Sequence, residues 1–341
     1  MAGKRVTLKD IAERTNYTIN TVSRALKDKE DIALETRKKI QRLAKEMGYI
    51  ENSVAGSLRS GYSKTIAVIV GDISNPHFGI IVKEIEKAAR KHRYTIIVLN
   101  TEDREELEES AIRTALSKNV DGIIICPSQR SEDNIWFLQR TGVPFVLIGR
   151  RFKSIPEFDY VICDDEKGGY LATKYLLDTG HKRILFLNGP LHISSAEERY
   201  EGYKKALQEY GVPLDPQLVR EPGLIQSETR HLIRSLIEEG VDFTGVFAFN
   251  DVIAWETIYM LQKLGYGVPK DYSVIGFDNI NARIFSPSPL TSISNSKSKM
   301  SRRALDILLK KINESQAGKS GGYREVVDTR LVVRDSTRNS H

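Results

Sequence analysis

Cysteine is nearly absent: Cys126 and Cys163 are the two in 341 residues. Both sit in apolar, strand-like runs, so they read as small core residues rather than a disulfide or metal site. No apolar run approaches the roughly 20 residues needed to span a membrane. The opening Met1-Ala2-Gly3-Lys4-Arg5 leads into polar, helix-like sequence with no apolar signal core, so a soluble, cytoplasmic protein is expected. Also missing are a Walker A run, a strand-linked G-x-G-x-x-G, a nucleophile elbow and a metal-ligand cluster. Gly318–Gly322 is Gly-rich, but its Lys319-Ser320 lies outside a phosphate-loop pattern. No enzyme, cofactor or metal is therefore expected. Apolar residues are not lacking: at 40% of the chain they suffice for large buried cores and exclude a disordered protein.

Charge is unevenly placed. Residues 1–64 hold 14 Lys/Arg against 8 Asp/Glu, whereas residues 65–341 hold 37 of each sign. A basic module precedes a neutral body, and such asymmetry points to a polyanion partner.

Within that module, residues 7–50 read as three short helices. Thr7-Leu8-Lys9-Asp10 is a capping-box variant, and Leu8, Ile11 and Ala12 line one face. Thr18 is placed to cap a second helix, Ile19–Leu26, with Val22, Ala25 and Leu26 inward. A third runs from about Leu34 to Met47, with Ile40, Leu43, Ala44 and Met47 inward, and Gly48 stops it. Two helices joined by a short turn, with polar residues opening the second, fit helix-turn-helix geometry.

As a set, Val6-Thr7-Leu8-Lys9-Asp10-Ile11-Ala12, Thr21-Val22-Ser23-Arg24-Ala25-Leu26, Glu35-Thr36-Arg37 and Gly48-Tyr49 resemble the headpiece of the LacI/GalR (lactose-repressor) family of bacterial transcription factors. The resemblance implies that the second helix enters the major groove and reads bases with Ile19, Asn20 and Arg24. Their chemistry agrees: Arg suits guanine, an amide suits adenine, and an aliphatic group suits the thymine methyl. Thr7, Thr18, Thr21 and Ser23 carry hydroxyls suited to phosphate contacts; an exposed helix face with caps is the plain alternative. Residues 51–63 resemble the family's hinge, with Asn52, Ala55 and the minor-groove wedge Leu58 as implied DNA contacts. Two departures stand there. Glu51 replaces a common Pro, and Gly56 sits inside the implied helix at a cost of about 0.5–1 kcal/mol relative to Ala.

From residue 64 the pattern alternates strand and helix. Ile66–Val70, Thr95–Leu99, Gly122–Cys126 and Pro144–Ile148 are short and apolar, as parallel strands covered on both faces should be. Lys182–Leu187, Gly245–Phe249 and Tyr272–Phe277 repeat the plan, so two doubly wound α/β subdomains are expected. Their boundaries are placed at about 64–162 with 293–322, and about 163–292 with 323–341. Polar strand ends at Asp72, Ser128, Arg150, Asn188, Asn250-Asp251 and Asp278-Asn279 would face one cleft.

The resemblance continues through Asn75-Pro76-His77-Phe78, Val120-Asp121-Gly122, Gly180-His181, Arg199-Tyr200-Glu201-Gly202-Tyr203 and Val274-Ile275-Gly276-Phe277-Asp278-Asn279. It implies a core like the periplasmic sugar-binding proteins, with an effector held between lobes by Asp72, His77, Phe78, Asp164, Arg199, Asn250 and Asp278. Other readings stay open: an ion pair of Arg199 with Asp278, a helix cap at Asp164, a simple loop residue at His77. Ile193 stands where the family's purine-sensing member has Arg, which argues against a purine. Ser294-Asn295-Ser296 departs from the usual triplet in a segment that links the lobes. Arg150-Arg151 would suit an anion if it faced inward. The implied protein is a homodimeric, allosteric repressor that binds a pseudo-palindromic double-stranded DNA operator, takes a sugar or sugar derivative as effector and has no membrane contact. A transport-type sugar binder is the rival that shares the cleft but not the basic headpiece.

Overall fold

The computed structural model describes residues 6–50, 61–155, 157–222, 226–280, 289–316 and 322–338. Two units divide the chain at Ser63 and Lys64.

The first unit is built from α1 (Leu8–Thr15), α2 (Ile19–Leu26) and α3 (Leu34–Glu46). Thr7 and Asp10 complete the capping box of α1, and Asn16 ends the helix in the left-handed region at φ 58°. That conformation turns the chain toward Thr18, whose hydroxyl accepts from the Thr21 N–H to cap α2. Apolar side chains three and four apart then meet in one core of Ile11, Ala12, Val22, Ala25, Ile40 and Ala44.

In the second unit, apolar runs such as Thr65-Ile-Ala-Val-Ile-Val70 are buried almost throughout because helices cover both faces. β1 (Thr65–Val70), β2 (Thr95–Asn100), β3 (Gly122–Ile125), β4 (Phe145–Ile148), β5 (Tyr160–Cys163) and β11 (Arg324–Val327) form one parallel sheet in the order β11-β5-β4-β3-β1-β2. β6 (Ile184–Leu187), β7 (Val219–Arg220), β8 (Gly245–Ala248), β9 (Ser273–Phe277), β10 (Thr291–Ser294) and β12 (Arg330–Val332) form the other, ordered β12-β10-β9-β8-β6-β7. β12 alone among these runs antiparallel to its neighbour. α4 (Pro76–Lys91), α5 (Glu105–Ser117) and α6 (Asp133–Thr141) serve the first lobe. α7 (Asp165–Asp178), α8 (Ser194–Glu209), α9 (Gln226–Glu238) and α10 (Asp251–Lys263) serve the second. α11 (Lys297–Gln316) leaves the second sheet and packs on α4, β3, β4 and β5 of the first.

These pairings correct the sequence boundaries. β5 runs to Cys163 in the first sheet, and Thr291–Ser294 lies wholly in the second. The segment 323–341 is split between lobes, because Arg324–Val327 pairs with Tyr160–Cys163 while Arg330–Val332 pairs with Ser292–Ser294. Apolar stretches as short as Val326-Val327 and Leu331-Val332-Val333 carry no mark of which sheet edge they complete, so periodicity could not assign them.

Candidate functional site

In the helix-turn-helix unit, capping by Thr18 fixes where α2 begins and so which side chains open it. Ile19 is 49% exposed, and Asn20 and Arg24 are exposed beside it, with Thr21 and Ser23 half-buried. Ile19 therefore does not spend its side chain on local packing. Arg24 Nη2 lies 2.5 Å from Asp31 Oδ2, with both side chains half exposed, a pair that water and salt weaken. Thr7 and Thr18 are exposed, and each hydroxyl serves its helix cap. Asn52, Ala55 and Leu58, like Glu51 and Gly56, lie outside the described residues.

Between the two sheets of the body lies a cleft of about 910 Å³. Asp72, His77, Phe78, Arg199, Asn250 and Asp278 all line it, and so does Arg150. Asp164 is not among the lining residues. Its carboxylate accepts from the Lys167 N–H, which makes it the cap of α7, a helix that begins at Asp165 rather than near Gly168. Of the other polar strand ends, Ser128 and Asn188 are buried away from the cleft lining.

Arg199 is a buried charge in the cleft wall. Its Nε donates to Asp165 Oδ1 at 2.8 Å and its Nη1 to the Phe249 carbonyl at 2.5 Å. The guanidinium lies 3.5 Å from the Phe277 ring centre and 4.4 Å from that of Phe249. Burial pushes the Asp165 carboxyl up to about 6 even with Arg199 drawing it down. The pair anticipated between Arg199 and Asp278 is thus replaced by one with Asp165. Asp278 instead meets His77, whose Nδ1 is 2.9 Å from Asp278 Oδ1 across the lobes. Asn295 donates to the same oxygen at 2.8 Å, and the Lys297 ammonium bonds the Asp278 carbonyl. Burial alone would raise the Asp278 carboxyl, but His77, Lys297 and Arg199 hold it below the usual carboxylate range. Burial lowers His77 despite the carboxylate, which favours the neutral ring. Asp278 and Asn279 have φ of 97° and 51°, conformations that L residues adopt only when the surroundings enforce them.

A second set of contacts ties the lobes at the rim. Ser194 N donates to Gln129 Oε1 at 2.9 Å, Arg151 Nη2 to Glu198 at 2.8 Å and Lys153 to Glu197 at 2.8 Å. Arg150 donates to Asp103 Oδ1 at 2.6 Å and to the Pro127 carbonyl at 2.8 Å. Sequence reading missed Asp103, Asp165, Glu198, Gln129 and Lys297. Only Asn295 had left a signal, in its departure from the usual triplet.

Residues 7–52 match the family described as bacterial regulatory proteins, lacI family. Residues 63–323 match periplasmic binding proteins and the sugar binding domain of the LacI family. The chain belongs to the LacI family. It is a DNA-binding transcriptional regulator with an effector-binding body. Among LacI-family relatives, it is 32% identical to the HTH-type transcriptional repressor PurR of Pasteurella multocida, covering 98% of this chain and 99% of that one. Identity with the repressor CytR of Escherichia coli is 30%, over 97% and 96%. The Lac repressor dimer bound to operator and the anti-inducer ONPF superposes with a TM-score of 0.85 at 26% identity, covering 98% of this chain and 99% of that one. A LacI family regulator from Enterococcus faecium with bound ribose gives 0.70 at 30%, covering 80% and 98%. Among the described residues, no helix is long and apolar enough to cross a membrane.

Proposed function

We propose that this regulator is a cytoplasmic, non-catalytic homodimeric repressor whose two headpieces read a pseudo-palindromic operator, switched by a sugar or sugar derivative in the cleft. One observation carries the reading: six side chains carried over from the family as effector contacts, distant in sequence, converge on a single cleft between lobes. In the headpiece, Ile19, Asn20 and Arg24 read base edges, while Thr7, Thr18, Thr21 and Ser23 hold phosphates. Asn52, Ala55 and Leu58 are assigned to the minor groove.

Within the cleft, Asp278, Arg199 and Asn250 would take paired hydroxyls, and Phe78 would cover an apolar ring face. His77 and Asp72 contribute from the first lobe; Asp164 acts through α7 rather than on the ligand. Ile193 is 1% exposed and lines the cleft. Its side chain offers a purine no hydrogen bond. The ribose seen in the Enterococcus faecium regulator supports a sugar. An effector can shift operator affinity only through its different affinities for the two lobe arrangements, and the coupling is reciprocal.

Thermal unfolding of the full chain against sugars, sugar phosphates and nucleosides tests this, because a ligand of the native state stabilises by RT ln(1 + [L]/Kd). A ligand whose stabilisation disappears in Asp278→Ala and Arg199→Ala supports the reading. One that stabilises both variants as well as the wild type refutes it.

A further inference from the structure

From the way the arginines lining the cleft are already paired with carboxylates, we infer that the effector carries no negative charge and that the site rejects phosphorylated or carboxylated ligands; the inference rests on the cleft being the effector site.

The sequence places Arg150-Arg151 after β4, a basic pair that could have met an anion. In the fold neither is spare. Arg150 forks onto Asp103 at 2.6 and 3.2 Å, and Arg151 turns to Glu198 and to the Tyr160 hydroxyl. The other two arginines lining the cleft also have carboxylate partners, Arg199 with the buried Asp165 and the half-exposed Arg230 with Glu256, 2.9 Å away. Lys297, behind the wall, is bound to the Asp278 carbonyl and Asn295. Asp72 and Glu102 add carboxylates that pair with no cation among the described residues.

A phosphate would reach only guanidiniums already neutralised by carboxylates, and it would set its own charge beside those carboxylates, a loss that the new contact does not repay. Helix N-termini at the cleft could have served instead. In α4 and α10 the His77 and Ile253 N–H groups already donate to the Asn75 and Asn250 side chains, and in α8 the Ser194 N–H donates to Gln129 of the opposite lobe. Asp251 further places a carboxylate in the first turn of α10. A neutral polyol meets none of these objections. It can donate hydroxyls to carboxylates and accept from amides without displacing an ion pair.

The test compares matched probes on the full-length chain: ribose with ribose 5-phosphate, glucose with glucose 6-phosphate, adenosine with its 5′-monophosphate. In any pair that binds, the neutral member should bind about tenfold or more tighter. A phosphate adds bulk as well as charge, so Asp103→Asn and Glu256→Gln separate the two. Each leaves an arginine unmatched, and each should shrink the neutral-to-phosphorylated preference by about tenfold. Equal or tighter binding of a phosphorylated member by the wild type overturns the inference while leaving the effector site in place. An unchanged preference in both variants overturns it as well, by showing bulk to be the cause. No binding by any member, neutral or charged, removes the effector reading and this inference with it.

Discussion

Arg199 shows how one side chain can be both buried and ready. Its charge is satisfied by Asp165 and by the Phe249 carbonyl, and two aromatic faces hold the guanidinium flat, so little conformational freedom remains to be lost on binding. Adjacent carboxylates at Asp164 and Asp165 have split the work: the first caps a helix, the second partners the arginine. Nothing in an Asp-Asp pair tells sequence reading which caps the helix and which pairs with the arginine; of the two readings left open for Asp164, the cap is the one the fold shows. Arg24, by contrast, was legible because its place in a short, distinctive helix fixes its exposure. Arg24→Ala should cost about 1–3 kcal/mol of operator binding and flatten preference at one base step, measured by titration against single-base variants of a selected operator. His181 gives a pH signature. Its ring nitrogens lie 2.9 Å from Thr244 Oγ1 and Ser273 Oγ, and burial, with Arg338 adding to it, pushes its pKa down to about 4. The unfolded chain takes up a proton near 6.5 that the folded chain refuses until about 4. This group's contribution to stability is therefore complete above that window and is lost as pH falls through it. Asp165 and Asp251, pushed up to about 6 and about 7, slope the other way. The informative quantity is thus a difference: the stability gap between wild type and His181→Asn should narrow from pH 7 to pH 5 in urea unfolding.

At the level of elements, α7 and α8 meet backbone to backbone at Gly169 and Gly202. A Cβ on Gly202 would overlap the Glu166 carbonyl and the Tyr170 N–H, and one on Gly169 would overlap the Arg199 carbonyl. The contact fixes Arg199 on α8 against Asp165 on α7. Gly202→Ala should destabilise the body by about 1–3 kcal/mol through overpacking, read as a lower denaturation midpoint. It should also weaken effector stabilisation at equal fractional folding, because the ion pair moves with the helix. Most elements were readable from their own residues: the β-branched runs of β1 and β3, the Thr7 and Thr18 caps, the inward stripe of Ile40 and Ala44. What escaped was long-range. The two-residue β7 and the division of the edge strands β11 and β12 between the two sheets depend on partners far away in sequence, whereas the placement of α11 on the first lobe follows the expected boundary at 293–322. Pro76 and Ser194 open α4 and α8 with rigid or polar residues that precede the apolar pattern, so periodicity alone does not mark these helix starts.

Over the whole molecule, a basic reader and a neutral sensor meet at Ser63–Lys64. The sensor has its own cores, so residues 64–341 alone should fold and keep effector binding, whereas operator binding should vanish in a gel-shift titration. In the intact protein, adding operator should change effector affinity by the same factor by which effector changes operator affinity, a reciprocity checked by calorimetry in both directions. The braided sheets carry one more consequence, for the order of manufacture. The first lobe waits for β11 and the second for β12, which follow every other strand in the chain, whereas the core of the reader's three helices lies within residues 6–49. At about 5–20 residues per second, a ribosome releases a finished DNA-reading head many seconds before either lobe can close. For that interval the nascent chain is a reader deaf to its signal. A stop codon ahead of Arg324 would make the condition permanent, leaving both sheets with an open edge.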